Sequence, residues 1–317
     1  MADRLFDVDE DGATLSHCPI SIKDYVRELL TTGITVVPRS LPENLCDEVR
    51  NGFISFADHN EEIFRVNRDD YGHYPRIVNL HTVYSKLFDL FTHNNIVLAI
   101  QDYLFGAETV LYTTLFYERG SAQSAHRDSP LFATRPEYRY FGTWIALEDT
   151  DLDNGPLIVI RRGHLLPEID REGMARALYP NLDDIPALSP DLWSCYQNEV
   201  LAQCARAGLV TNTLCVKKGD TVIWHPQAPH GGAEIRDLRR TRFSLVMHTT
   251  PLGVPVYHQH VFFNPAKSVS DKAPWHYVSR GGRRYADHRE ISFGHARSYS
   301  LADFRYSGDA PSAFHQG

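Results

Sequence analysis

Hydrophobic positions follow two different periods along this chain. Between Ser21 and Thr32, the residues Tyr25, Val26, Leu29 and Leu30 recur at helical spacing, with Ser21 as the expected N-cap and Gly33 as the stop. Ile34-Thr35-Val36-Val37-Pro38 then reads as a strand. Ser40-Leu41-Pro42-Glu43 opens a second helix running to about residue 57, with Ser40 or a neighbour as cap and Pro42 in the first turn. Beyond residue 107 the period shortens to two. Thr109 to Tyr117 is rich in Val, Thr, Tyr and Phe. Tyr140 to Leu147 places Tyr140, Gly142, Trp144 and Ala146 on one face, and Phe141, Thr143, Ile145 and Leu147 on the other. Leu157–Ile160, Thr221–Trp224, Arg242–Thr249 and Val254–Phe263 continue the series, separated by turn signals such as Asp153-Asn154-Gly155-Pro156 and Lys218-Gly219-Asp220. Helices first and many short strands afterwards predict a mainly β fold, a two-sheet sandwich or barrel with helices packed outside.

Two segments break the pattern. Residues 165–212 look helical and contain four prolines, and an insertion of that length between strands is expected to be a lid. Residues 266–317 read as an extension laid over the core, not a second domain, so the whole of 1–317 is expected to form one catalytic domain. The run Arg280-Gly281-Gly282-Arg283-Arg284 within it is expected to be a solvated face.

Composition narrows the function classes. Hydrophobic residues at 43% and charged residues at 23% exclude a disordered chain or a coiled coil. A net charge of -8 argues against a nucleic-acid binder. No stretch has the roughly 20 apolar residues of a membrane span. Met1–Ile20 is acidic without a hydrophobic signal core, and His315-Gln316-Gly317 is not a peroxisomal address. The five cysteines show no C-x-x-C spacing. A cytoplasmic monomer or homodimer acting on a small molecule is the expectation.

Sixteen histidines and forty acids should place an acid two positions after a histidine about twice by chance, and three such pairs occur. Context separates them. His59 sits in a charged run after a helix and His288 in the polar extension, so both read as solvated. His126-Arg127-Asp128 instead follows a β segment and a short Gly/Ser loop. In extended chain, residues 126 and 128 project to one side, so imidazole and carboxylate meet one ion. With a distant second histidine they would form the 2-His-1-carboxylate triad of non-heme iron oxygenases. The segment Trp224-His225-Pro226-Gln227-Ala228-Pro229-His230-Gly231 offers two candidates for it. Arg240 and Arg242 follow, either of which suits bidentate binding of a dicarboxylate.

At this point the chain resembles the phytanoyl-CoA dioxygenase family of Fe(II)- and 2-oxoglutarate-dependent oxygenases. The likeness starts near Tyr25 and strengthens at His126-Arg127-Asp128-Ser129-Pro130, Thr143 to Asp149 and Asn154-Gly155-Pro156-Leu157. It returns at Lys218-Gly219-Asp220, His225-Pro226, His230-Gly231 and Arg240 to Val246. The resemblance implies a double-stranded β-helix (jelly-roll, cupin-like) core of two antiparallel sheets. It implies His126, Asp128 and His230 as iron ligands, with His225 in a packing or supporting role. Arg240 is the preferred partner of the distal 2-oxoglutarate carboxylate, with Arg242 as its rival. Trp144 would form part of the co-substrate wall, and Thr113 or Thr114 would hydrogen-bond the co-substrate. The cofactors implied are Fe(II), 2-oxoglutarate and O2, and the reaction is oxidation of an unactivated C–H bond with release of succinate and CO2. A carboxylate at Asp128 favours hydroxylation, because the halogenases of this group carry a small residue there.

The chain also departs from the family pattern. Arg161-Arg162-Gly163-His164 stands where the family has Pro-Gly-Ser-His, which would put a basic pair near the pocket rim. The 165–212 insertion and the C-terminal extension have no family counterpart, so an acyl-CoA substrate is not implied. Arg135, Tyr138, Arg139, His248 and Tyr257-His258-Gln259-His260 are candidates for a polar pocket. Two alternatives stay open: a cupin-like metalloenzyme using His258 and His260, or a jelly-roll binding module.

Overall fold

The computed structural model describes residues 13–294 and 297–305, so the acidic opening up to residue 12 and the last dozen residues lie outside it. Helices α1 (Ala13–Ser16), α2 (Lys23–Thr32), α3 (Glu43–His59), α4 (Glu61–Arg65), α5 (Lys86–Thr92) and α6 (Asn95–Phe105) precede most of the strands. Strands β1 (Ile34–Val37), β2 (Ile77–Val78), β3 (Thr109–Tyr117), β4 (Ala133–Thr134), β5 (Phe141–Ala146) and β6 (Leu157–Val159) lead to the insertion. The insertion holds α7 (Arg171–Arg176) and α8 (Pro190–Arg206). After it come β7 (Asn212–Leu214), β8 (Thr221–Trp224), β9 (His230–Gly232), β10 (Ser244–Pro251) and β11 (Val256–Tyr257). Helix α9 (Gln259–Phe262) and strands β12 (Tyr277–Arg280), β13 (Arg283–Ala286), β14 (Glu290–Phe293) and β15 (Arg297–Ser300) complete the order.

The large sheet runs β1-β8-β5-β10-β3-β2-β14-β15, antiparallel throughout this path. A smaller sheet, β7-β6-β9, faces it, and β4 pairs with β11. This is the jelly-roll expected from the sequence. Alternation sends Ile145 and Leu147 outward with Leu245 and Met247, against Phe53 and Phe56 of α3 and Leu87 and Phe91 of α5. Trp144, Ala146 and Val246 go inward, meeting Leu157 and Val159 of the small sheet. Burial on both faces is why every residue of β10 is buried.

Several local expectations shift. Helix α2 is preceded by Ile22 instead of a Ser21 cap, while Gly33 ends it as anticipated in the left-handed region at φ 83°. Ser40 does not cap α3; its hydroxyl bonds Gly219 O and Thr221 Oγ1. Val254–Phe263 is not one strand: only Val256–Tyr257 is extended. The helix α9 that follows buries the consecutive Val261, Phe262 and Phe263 against Tyr196 and its neighbours, a pattern alternation cannot provide.

The insertion has its own small core, made of Ile169, Ala175, Leu182, Ile185, Leu192, Tyr196 and Val200. Ser189 caps α8 by accepting from Leu192 N, with Pro190 in the first turn. The C-terminal extension does more than lie over the core. Strand β14 joins the large sheet beside β2 and contributes Ile291 and Phe293 to the main core. The basic run flanks the turn between β12 and β13, and each arginine meets an acid: Arg280 with Asp89, Arg283 with Asp102 and Arg284 with Glu108. Among the described residues no helix is long and apolar enough to cross a membrane.

Candidate metal centre and substrate cavity

Strand β3 carries the chain to the loop 118–125, which returns as an extended segment holding His126 and Asp128. His126 and His230 sit opposite each other, each backbone N–H donating to the other's carbonyl at 2.9 and 3.0 Å. Close approach needs Gly231, because a Cβ there would lie 2.4 Å from Gln123 O. The chain thus brings three ligand atoms, one each from His126, Asp128 and His230, within 4.8 Å of one another. His126 Nε2 lies 3.3 Å from Asp128 Oδ1, and His230 Nε2 lies 3.2 Å from Asp128 Oδ2.

Ring orientation is fixed from behind. His126 Nδ1 donates to Ser124 O at 2.8 Å, and His230 Nδ1 donates to Ala228 O at 3.0 Å. A carbonyl only accepts, so both rings keep their proton on Nδ1 and present Nε2 to the centre, where the neutral ring offers a lone pair. Burial pushes the Asp128 carboxyl up, but when the rings are protonated the charge of His230 and hydrogen bonds from His126, His230 and His248 outweigh it and hold the group well below the usual carboxylate range, and a metal cation would take the place of the protons on the two Nε2 atoms. The result is an N,N,O donor set with an ionised carboxylate, which fits a divalent transition metal.

His248, on the inner face of β10, donates from Nε2 to Asp128 Oδ2 at 3.0 Å and stacks on Phe132 with ring centroids 3.9 Å apart. Trp224 packs against His230 at 4.2 Å. Its indole lies over Gly142, where a Cβ would come within 2.0 Å of the ring. His225 stays out of the centre: it is buried against His164 at 4.9 Å. Burial, with His164 and Arg127 adding to it, pushes the His225 imidazole well below its ordinary value. That matches the packing role expected for it.

The triad opens into a cavity of about 940 Å³. Arg242 and Trp144 line it together with the triad, whereas Arg240 does not. Arg242 is buried, its Nη1 donates to Gly155 O at 2.8 Å and its Nη2 to Ser244 Oγ at 3.3 Å, and its guanidinium stands 5.3 Å from the Trp144 ring. Burial pushes it down to about 10. Its Nε and the indole nitrogens of Trp144 and Trp224 are buried donors without an acceptor among the described residues. Arg240 instead lies beyond the start of β10 and pairs with Asp151 at 2.8 Å, two-fifths exposed. The preference for Arg240 over Arg242 is therefore not carried by its position. The chain turns at Asp237–Arg240, with Arg240 N on Asp237 O, so the strand face does not reach back to residue 240.

Other expectations sort in the same way. Thr113 lines the cavity and donates to Asn79 Oδ1, while Thr114 faces outward to His81. The register slips between β3 and β10, His248 pairing with Thr113 but Thr249 with Leu111, so Tyr112 is bulged and both Tyr112 and Thr113 reach the cavity. His248, His258 and Gln259 line it; Arg135, Tyr138, Arg139, Tyr257 and His260 do not. Arg161 binds Glu28 and Thr32 on α2, and neither it nor Arg162 lines the cavity. Among the described residues His126, Asp128 and His230 form the sole group of three metal-ligating side chains, which leaves the His258–His260 alternative without a third ligand.

Sequence reasoning missed the outer wall. His288, set aside as solvated, lines the cavity with Glu290, Ser292 and Gly294. The alternation 288, 290, 292, 294 was the available signal: Ile291 and Phe293 between them face the core. The opposite contribution comes from the insertion, through Leu188, Ser189, Pro190 and Trp193.

A family model described as phytanoyl-CoA dioxygenase (PhyH) matches residues 30–242, more than half of the chain. Among solved structures, the epimerase SnoN in complex with Fe3+, alpha ketoglutarate and nogalamycin RO is similar at 15% identity and TM-score 0.56, over 84% of this chain and 99% of that one. The non-heme alpha ketoglutarate dependent carbocyclase SnoK from nogalamycin biosynthesis is similar at 17% identity and TM-score 0.53, over 83% of this chain and 96% of that one. At these identities the likeness establishes the fold. No curated protein matches significantly.

Proposed function

The chain belongs to the phytanoyl-CoA dioxygenase family, and from that premise we propose that it is an Fe(II)- and 2-oxoglutarate-dependent oxygenase that oxidises an unactivated C–H bond of a small molecule, releasing succinate and CO2. The observation that carries this reading is the convergence of His126, Asp128 and His230, with both imidazoles locked to present Nε2. Bound Fe(II) would supply O2 activation coupled to oxidation of the co-substrate.

The protein's own residues do the rest. His126, Asp128 and His230 hold the metal on one face and leave the cavity side open. Arg242 holds the distal carboxylate of 2-oxoglutarate: its present partners are neutral acceptors, and a buried guanidinium gains most from a bidentate carboxylate. Trp144 and Trp224 flank that site and exclude water. His248 fixes one carboxylate oxygen of Asp128.

The substrate lies in the outer part of the cavity, whose size sits toward the top of the ~300–1,000 Å³ range of small-molecule sites. Its walls join Tyr112, Phe132 and Trp193 with Asn79, Gln123, His288 and Glu290, which suits a cyclic or aromatic molecule bearing hydroxyl or amino groups. Arg76 and Arg242 are the two arginines there, a weak receptor for a polyphosphate carrier such as CoA. The test is succinate formation from 2-oxoglutarate by Fe(II)-loaded protein across a panel of such compounds and acyl-CoAs. Stimulation by the former supports the reading, and stimulation by acyl-CoA alone overturns the substrate part. Absence of succinate from folded, Fe(II)-loaded protein overturns the reaction.

A further inference from the structure

The insertion is attached to the metal centre itself. Arg127, between two of the ligands, has its backbone N–H on Gln197 Oε1 at 2.8 Å, and its carbonyl accepts from Gln197 Nε2 at 2.8 Å. Gln197 is buried in the middle of α8. The segment 126–128 needs such a partner. Apart from its backbone bridge to His230 it belongs to no strand, and the buried N–H and carbonyl of Arg127 would otherwise be unpaired. A glutamine side chain carries donor and acceptor at the spacing of a peptide group, so it acts here as one rung of a β ladder supplied by a helix. Glutamate lacks the donor and leucine lacks both groups.

Two neighbours on the same helix face add to this hold. Trp193 packs against the His126 ring at 5.7 Å, and Tyr196 stands beside the buried Arg127 guanidinium, whose Nη2 donates to Gly163 O at 2.7 Å. Residues 193, 196 and 197 are spaced i, i+3, i+4 and so face the ligand segment together. The insertion expected to act as a lid is thus tied to the segment 126–128 by three side chains of one helix face.

We propose that Gln197 is a positioning residue that sets the separation and orientation of His126 and Asp128 through the Arg127 backbone, so that α8 helps determine metal affinity. This rests on the reading of His126, Asp128 and His230 as metal ligands. Groups that orient metal ligands are worth roughly 10–100-fold in affinity.

The test is equilibrium titration of metal-free full-length protein with Co(II), read by its visible absorption against a competing chelator, alongside thermal melting. Gln197→Leu is expected to bind Co(II) about 10–100-fold more weakly, and Gln197→Glu, which keeps one of the two bonds, to fall between it and the wild type. Val200→Ala, one turn further on and in the insertion's own core, is expected to melt earlier with unchanged affinity. Equal affinity, within about twofold, for wild type and both Gln197 variants overturns the proposal; if Gln197→Leu does not fold, Gln197→Glu decides. Wild-type binding no tighter than that of His126→Ala would overturn the metal reading beneath it, a separable result.

Discussion

At the inner end of the cavity the polar groups that define the centre have fixed partners. Two imidazoles are tied to backbone carbonyls, Asp128 receives His248, and Arg127 is clasped by Gln197. At the outer end the wall is mixed: Glu290 is exposed, Leu188 is an exposed apolar residue beside the polar Ser189, and His288 is tied to Tyr112 O. The triad lies within the family match, which also spans the insertion, whereas His248 and the C-terminal strands of the outer wall lie beyond it. Polar groups at the inner end are thus held in place by backbone and side-chain partners, while the outer wall mixes exposed apolar and polar side chains.

The largest effect should come from the inner end. Replacing Asp128 with alanine removes the only carboxylate of the ligand set, and succinate formation should fall to background with loss of Co(II) or Fe(II) binding. Substantial metal affinity in that variant would break the comparison at once.

Next in size is the contrast between the two arginines. Arg242→Ala should raise the KM for 2-oxoglutarate by about 10–100-fold, the value of a charge-assisted bond of ~1.5–3 kcal/mol. Arg240→Ala loses one exposed pair with Asp151 and should leave that KM within about twofold. The reverse ranking would restore Arg240.

A third test concerns burial on the far side of β3. His81 is buried against Thr114, and burial, aided by His288, pushes it down to about 3. Its folded value lies below the unfolded value of 6.5, so the unfolded chain takes up the proton first. Stability should be full above about pH 6.5 and decline by a few kcal/mol as pH falls toward 3. His81→Gln should flatten this part of the melting-temperature profile; an unchanged slope would contradict it.

The smallest effect belongs to the outer wall. Glu290→Gln should shift substrate KM by several-fold, about 1 kcal/mol, while succinate formation without substrate stays unchanged. A loss of substrate-free turnover would tie Glu290 to the inner end instead.

How much of this was legible follows the same division. The helix–strand order, the inward face of β5 and the His126–Asp128 pair could be read, because alternation and H-x-D spacing are local and survive without coordinates, whereas His230 was chosen over His225 on the family resemblance. Arg240 and Arg242 could not be separated, because both fit an alternating face until the turn at Asp237–Arg240 is seen. Thr113 was not separable from Thr114 because a bulge at Tyr112 resets the period. His248 was legible as a pocket candidate but not as a partner of Asp128. The bond joins residues 120 positions apart. Gln197 was invisible for a related reason: nothing in a helical sequence shows that one glutamine will complete a strand elsewhere.

On the proposed function, the inner end holds a metal and 2-oxoglutarate through the triad and Arg242. Anaerobic titration of metal-free protein with Fe(II) and then 2-oxoglutarate tests it most directly, by the visible charge-transfer band of the chelate. The band is expected in the wild type and in Arg240→Ala, is expected to be lost in His126→Ala, and in Arg242→Ala should need far more 2-oxoglutarate. Folded wild-type protein that gives no band would contradict it.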